Sequence, residues 1–178
     1  MRRLRLWVLI CLASAAHLSS PADAQSVGLD EYRSLCHESA TFDEHIARAN
    51  KLGWSSAEQN FVAMLDHVLI EKPQRSVFLK KPGLGGGLVL ARITEGKPRD
   101  LLSRKQVECF VRIVASEGRP DLRQGFYNLM KRRPTDTGTG KGGTTDYWMN
   151  IPKMRANLFW NEPMDDGRHI MTFLGVDM

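Results

Sequence analysis

An α+β domain, with N-terminal helices packed on an antiparallel sheet of about five or six strands and one disulfide, is the fold class that the sequence predicts. Three observations carry this expectation. From Leu29 to Pro73 apolar residues recur at helical spacing behind capping motifs. From Ser76 onward short alternating or β-branched runs, punctuated by Pro, Gly, Asn and Asp, take over. Two cysteines, Cys36 and Cys109, one in each region, remain once an N-terminal leader is set aside.

The leader comes first. Met1-Arg2-Arg3-Leu4-Arg5 is basic, Leu6 to Ala16 runs without a charge, and Pro21-Ala22-Asp23-Ala24 ends in the A-x-A pattern of a signal-peptidase site. Residues 1–24 therefore read as a cleavable signal peptide, with Gln25 as the first mature residue and 25–178 as a single domain. At about 1.5 Å per residue the apolar run reaches roughly 17 Å, short of a hydrocarbon core about 30 Å thick, so no stable transmembrane anchor is expected. The expected localisation is exported, periplasmic or secreted. In an oxidising compartment two cysteines make one bond with none left over, which predicts a Cys36–Cys109 disulfide; two buried free thiols are the alternative. The bond would close a loop of about 74 residues, worth roughly 4 kcal/mol in the chain-entropy account.

Three helices are expected before the strands. Leu29, Tyr32, Leu35 and Cys36 share the inner side of the first, and Asp30 and Glu31 suit its N-terminus. Thr41-Phe42-Asp43-Glu44 is a capping box that opens the second, which closes at Gly53. Ser56-Ala57-Glu58-Gln59 opens a third, carrying Phe61, Met64, Leu65 and Val68 on one side and ending before Pro73.

Beyond Pro73, Ser76 to Lys80 and Leu88 to Thr94 read as a hairpin joined by the glycine-rich run 83–87. Gln106 to Val114 alternates, with Val107, Cys109, Val111 and Ile113 forming its buried side. Arg119-Pro120-Asp121 opens a fourth helix with Leu122, Phe126, Leu129 and Met130 facing inward, and Lys131-Arg132-Arg133 precedes Pro134. Residues 134–146 contain no apolar side chain and are expected to be a mobile loop. Tyr147 to Ile151, Met154 to Trp160 and Arg168 to Val176 then form an antiparallel meander.

Charge is uneven along the chain. After Arg2, Arg3, Arg5 and Asp23 leave with the leader, 22 basic and 19 acidic residues remain, a net of +3. Residues 25–71 carry −5, residues 72–133 carry +10 and residues 134–178 carry −2. The basic middle can dock an anionic envelope component or an acidic protein, or it can solvate strand edges and face the acidic N-terminal helices. No nucleic-acid partner is expected.

The motifs argue against several chemistries. Gly138 to Gly143 spells G-x-G-x-x-G, but a helix precedes it and a strand follows, the reverse of the dinucleotide-binding order. Gly142 stands where a phosphate loop needs Ser or Thr after Gly140-Lys141. His37, His45, His67 and His169 lack partners at zinc-ligand spacing, so no metal is expected, and no cofactor motif is present. No G-x-S-x-G elbow occurs, and both mature cysteines are assigned to the disulfide, so no catalytic residues are assigned.

What remains is binding chemistry. Trp148 and Trp160, with the basic Lys131, Arg132 and Arg133, are the candidate binding residues, beside the glycine-rich 134–146 segment. The expected function is a small exported, non-enzymatic binding or inhibitor-like module. Two alternatives stay open: a secreted hydrolase built on groups such as Asp165, Asp166 and His169, and an envelope assembly accessory protein.

Overall fold

The computed structural model describes residues 27–58, 70, 72–83, 88–97, 106–115, 119–140, 142–150 and 155–177. The leader expected at 1–24, the body of the helix expected from Ser56 to Pro73, and residues 84–87 of the first glycine-rich run lie outside these residues.

Helices form where local caps satisfy their ends. In α1 (Leu29–Leu35) the Glu31 carboxylate accepts from the backbone N–H of Gly28 at 3.0 Å. Helix α2 (Phe42–Lys51) carries the expected capping box: Thr41 Oγ1 accepts from Glu44 N–H at 3.3 Å, and the Glu44 carboxylate accepts from Thr41 N–H at 2.7 Å. It ends in a Schellman motif at Gly53, whose φ of 77° places it in the left-handed region; Trp54 N–H reaches back to Ala49 O at 3.1 Å. Helix α3 (Pro120–Met130) starts on Pro120 and stops where Lys131 turns left-handed at φ 56°.

The strands are β1 (Ser55–Ser56), β2 (Lys72–Pro82), β3 (Leu88–Lys97), β4 (Gln106–Ala115), β5 (Asp136–Gly140), β6 (Gly143–Asn150), β7 (Arg155–Pro163) and β8 (His169–Asp177). They form one antiparallel sheet of eight strands in the order β1-β2-β3-β4-β8-β7-β6-β5. The sheet is thus larger than the five or six strands expected. Two departures account for the excess. Ser55–Ser56, at the start of the third expected helix, pairs with Leu79 and Lys80. The 134–146 segment is not a free loop: Asp136 to Gly140 pairs with Gly143 to Tyr147 as a hairpin. A thread of Thr and Gly has no apolar alternation to announce a strand, and backbone pairing supplies what side-chain burial does not.

Sheet register puts Val89, Ala91, Ile93, Cys109, Val111, Ile113, Met171, Phe173, Phe159 and Trp148 on one face. That face packs against Tyr32, Leu35 and Cys36 of the α1 turn, Phe42 and Ala49 of α2, and Leu122 and Phe126 of α3. Phe126 sits at the centre, with ring centroids 5.2 Å from Tyr32, 5.1 Å from Trp148 and 5.7 Å from Phe173. The helix layer therefore takes α3 from mid-chain as well as the N-terminal pair.

The opposite face is buried too. Leu90, Phe110, Ala156, Leu158, Leu174 and Val176 form a second cluster there. Ile70, 1% exposed, lies on this side and donates its N–H to Glu108 Oε2 at 3.2 Å. Strand β4 consequently buries both faces rather than the single face its alternation suggests, as a strand in the middle of a covered sheet does.

The Cys36–Cys109 disulfide is present and joins the residue after α1 to β4. Among the described residues no helix is long and apolar enough to cross a membrane.

Candidate functional site

A cleft of about 560 Å³ lies where the end of α3, the α1–α2 turn and the β6 and β7 strands converge. Its walls are His37, Glu38 and Ser39 from the turn and Leu129 to Arg132 from the end of α3. Asn150, Arg155 and Asn157 close the sheet side. Each is there for a local reason. The disulfide fixes Cys36, so His37 leaves α1 at a set place. The left-handed Lys131 turns the chain out of α3, and its N–H caps the helix at Tyr127 O, 3.0 Å away.

Arg155 is the hub of the floor. It is 5% exposed and its guanidinium donates to the Asp177 carboxylate, to the Cys36 carbonyl and, at 3.4 Å, to Ser39 Oγ. Ser39 Oγ in turn donates to Asp177 at 2.6 Å. A buried charge needs such pairing, and here the carbonyl at the end of α1 is satisfied at the same time. Gly175 makes room for this: a Cβ there would collide with the Arg155 guanidinium and come within 2.9 Å of the Cys36 carbonyl oxygen. Beside Arg155, Tyr32 Oη donates to Asn157 Oδ1 at 2.8 Å. Burial pushes the Tyr32 phenol far above its usual range, against the opposing charge of Arg155, so the hydroxyl stays a donor.

Some polar capacity is left over. Among the described residues, His37 Nδ1, Arg155 Nε and Asp177 Oδ2 are buried atoms without a hydrogen-bond partner. His37 is also held below its ordinary pKa, first by burial and then by the Arg155 charge, which keeps the ring neutral. On the rim, Arg132 donates to Met149 O at 2.6 Å while its own carbonyl accepts from the Trp148 indole at 2.9 Å.

The binding residues expected from the sequence divide accordingly. Lys131 and Arg132 line the cleft. Trp148 lies behind them, fully buried, and contributes by holding the Arg132 backbone rather than by offering a surface. Arg133 is exposed but does not line the cleft. Trp160 lies elsewhere, in a shallow depression beside Gly138 to Gly143, with its indole N–H donating to Gly142 O at 2.9 Å. Alternation sets Trp148 and Trp160 on opposite faces, so they form no shared platform.

Sequence reasoning weighed His37 only as a metal ligand and passed over Ser39, Arg155 and Asn157. A signal did exist: Arg155 and Asn157 alternate onto the same face as the buried Phe159, and polar residues on an apolar face mark a built network.

The other candidates hold no assembled chemistry. Asp166 pairs with Arg168 at 2.6 Å within an exposed turn, and His169 Nδ1 meets Asn161 Oδ1 at 3.2 Å. Gly138 and Gly140 belong to β5 and lead into β6, so the G-x-G-x-x-G run opens no helix on which a pyrophosphate could rest. Among the described residues no three His, Cys, Asp or Glu side chains are placed to hold a metal ion.

Fold and site together define a disulfide-linked domain with three described helices and an eight-stranded antiparallel sheet, bearing a cation-rimmed cleft. No family model matches the chain, and neither the curated proteins nor the solved structures include a significant match to it.

Proposed function

We propose that this chain is an exported, non-enzymatic binding module whose cleft receives an anionic group of an envelope component or of an acidic protein. The observation that carries the reading is the cleft's composition: Lys131 and Arg132 on the rim, and the 5%-exposed Arg155 beneath them with an unpaired Nε. The Lys131 ammonium and Arg132 guanidinium, set above an Arg155 already paired with Asp177 and with Glu38 as the one carboxylate in the lining, leave an excess of positive charge that favours a carboxylate or phosphate over a neutral ligand. Leu129 and Met130 add an apolar wall, the usual companion of a few placed polar groups in a ligand site. Export is supported by the leader and by the disulfide, a bond that persists in oxidising compartments.

One preparation tests both parts. Expressed with its leader, the protein recovered outside the cytoplasm is expected to begin at Gln25 by mass spectrometry. On immobilised polyglutamate it is expected to be retained in a salt-sensitive way. Lys131→Ala with Arg132→Ala is expected to weaken retention about tenfold, on the order of 1.4 kcal/mol, whereas Arg133→Ala, outside the cleft, changes it little. Equal loss in both variants would mean that diffuse charge, not the cleft, does the binding, and no retention by the unaltered protein sinks the reading.

A further inference from the structure

Among the described residues the sheet ends on β5, and that edge is open. All five residues, Asp136 to Gly140, are exposed, and among the described residues their one strand neighbour is β6. Proteins normally blunt such an edge with Lys, Pro, a bulge or a very short last strand. The opposite edge follows that rule: β1 has two residues, and β2 carries Pro73, Pro82, Arg75, Lys80 and Lys81. Strand β5, Asp-Thr-Gly-Thr-Gly, has no Lys or Pro; its one charge is Asp136 at its first residue, where a bulge sets Thr135 and Asp136 both against Tyr147, and from Thr137 to Gly140 the edge carries none of these devices.

We propose that β5 pairs with β5 of a second copy of this chain, antiparallel about a two-fold axis with Gly138 facing Gly138, so that the two sheets continue into one another. The junction does not involve the cleft and stands independently of the binding reading.

Backbone direction supports it. Two residues separate the paired Gly140 and Gly143, which makes them a hydrogen-bonded pair, so Thr139 and Thr137 turn their N–H and C=O groups outward. The Thr137 N–H is accordingly met not by β6 but by the Asp136 carboxylate at 2.8 Å. In the junction that N–H transfers to the carbonyl of Thr139 in the second copy, and the carboxylate returns to water.

Register favours a second copy as the occupant. About Gly138 the strand is self-complementary: Thr137 falls opposite Thr139, and Asp136 opposite Gly140. Cross-strand threonine pairs are favourable, and the sole charge meets a glycine instead of its own kind. The same surface serves both partners, so the assembly closes at two. Five residues at about 3.4 Å span roughly 17 Å, well below the scale of a standard interface of about 1,600 Å², so the dimer is weak and concentration-dependent.

Cysteine cross-linking tests register as well as association. Across the junction the two Gly138 residues form a non-hydrogen-bonded pair with Cα atoms about 4.5 Å apart, within disulfide reach. The structure leaves open space where a Gly138 Cβ would stand, so Gly138→Cys is expected to fold, as circular dichroism and an intact Cys36–Cys109 bond would verify. In oxidising buffer, full-length G138C is expected to form covalent dimers about tenfold faster than Thr137→Cys or Thr139→Cys, because neither of those faces its own counterpart. Adding Thr139→Pro to G138C removes an outward N–H and is expected to bring its rate down to theirs. Equal rates among the three cysteine variants, no cross-linking of G138C, or a wild-type chain that sediments as a monomer at about 1 mM would each overturn the proposal.

Discussion

Asp146 shows how one residue ties three elements together. It is fully buried on β6, where it accepts from Arg123 of α3 at 2.6 and 2.9 Å and from Thr137 of β5 at 2.7 Å. Burial alone would raise its pKa, but the hydrogen bonds from Arg123 and Thr137 and the Arg123 charge outweigh that and hold it below the ordinary 3.8. A carboxyl lowered in the folded state contributes stability above its unfolded pKa and loses it as pH falls through the lower folded value. Asp146→Asn is therefore expected to destabilise by about 2 kcal/mol near pH 7, a figure reduced for the partly exposed Arg123. The deficit should shrink below pH 3.8, as urea unfolding of both proteins at neutral and acid pH would show. A deficit that does not change with pH would place the cost in the amide substitution itself. Sequence reasoning saw Asp146 only as the end of a polar loop, because its partners are 23 and nine residues away.

At the scale of elements, β7 and β8 decide whether the cleft has a floor. Their register brings Asn157 opposite Gly175 and Arg155 opposite Asp177, and the missing side chain at Gly175 lets the guanidinium reach the Cys36 carbonyl. Gly175→Ala is expected to cost about 1–3 kcal/mol, the usual range for forcing an extra carbon into a packed site. It should also weaken polyglutamate retention, since Arg155 must shift. Denaturant midpoints and retention, measured on the same protein, check the two effects; a stable variant that binds normally would show that Arg155 does not need this position. Helix α2 was more legible than strand β5. Thr41, Glu44 and Gly53 announce both ends of α2 within a dozen residues, whereas β5 holds its place only through a neighbour across the hairpin.

Across the whole molecule, the Cys36–Cys109 bond spans 73 residues and joins the helix layer to the middle of the sheet. Replacing both cysteines with Ala is expected to lower stability by about 4 kcal/mol through the freed unfolded chain. Equilibrium urea unfolding measures this, and a loss under about 1 kcal/mol would mean that packing, not chain closure, holds α1 in place. The same bond sets the height of His37 on the cleft wall, so the double variant is also expected to bind polyglutamate less tightly.

From the sequence alone follow the caps of α2, the pairing of Cys36 with Cys109 and the buried side of β4 on which Cys109 lies. These depend on neighbours within a few residues, on strand alternation, or on there being only one way to pair two thiols. Only the tertiary structure decided that 136–140 is an edge strand, that β4 is covered on both faces, and that Lys131 and Arg132 share a cleft with Arg155 while Arg133 and Trp160 do not. Those outcomes depend on contacts between residues far apart in the chain, and local periodicity records which way a side chain points but not what meets it there.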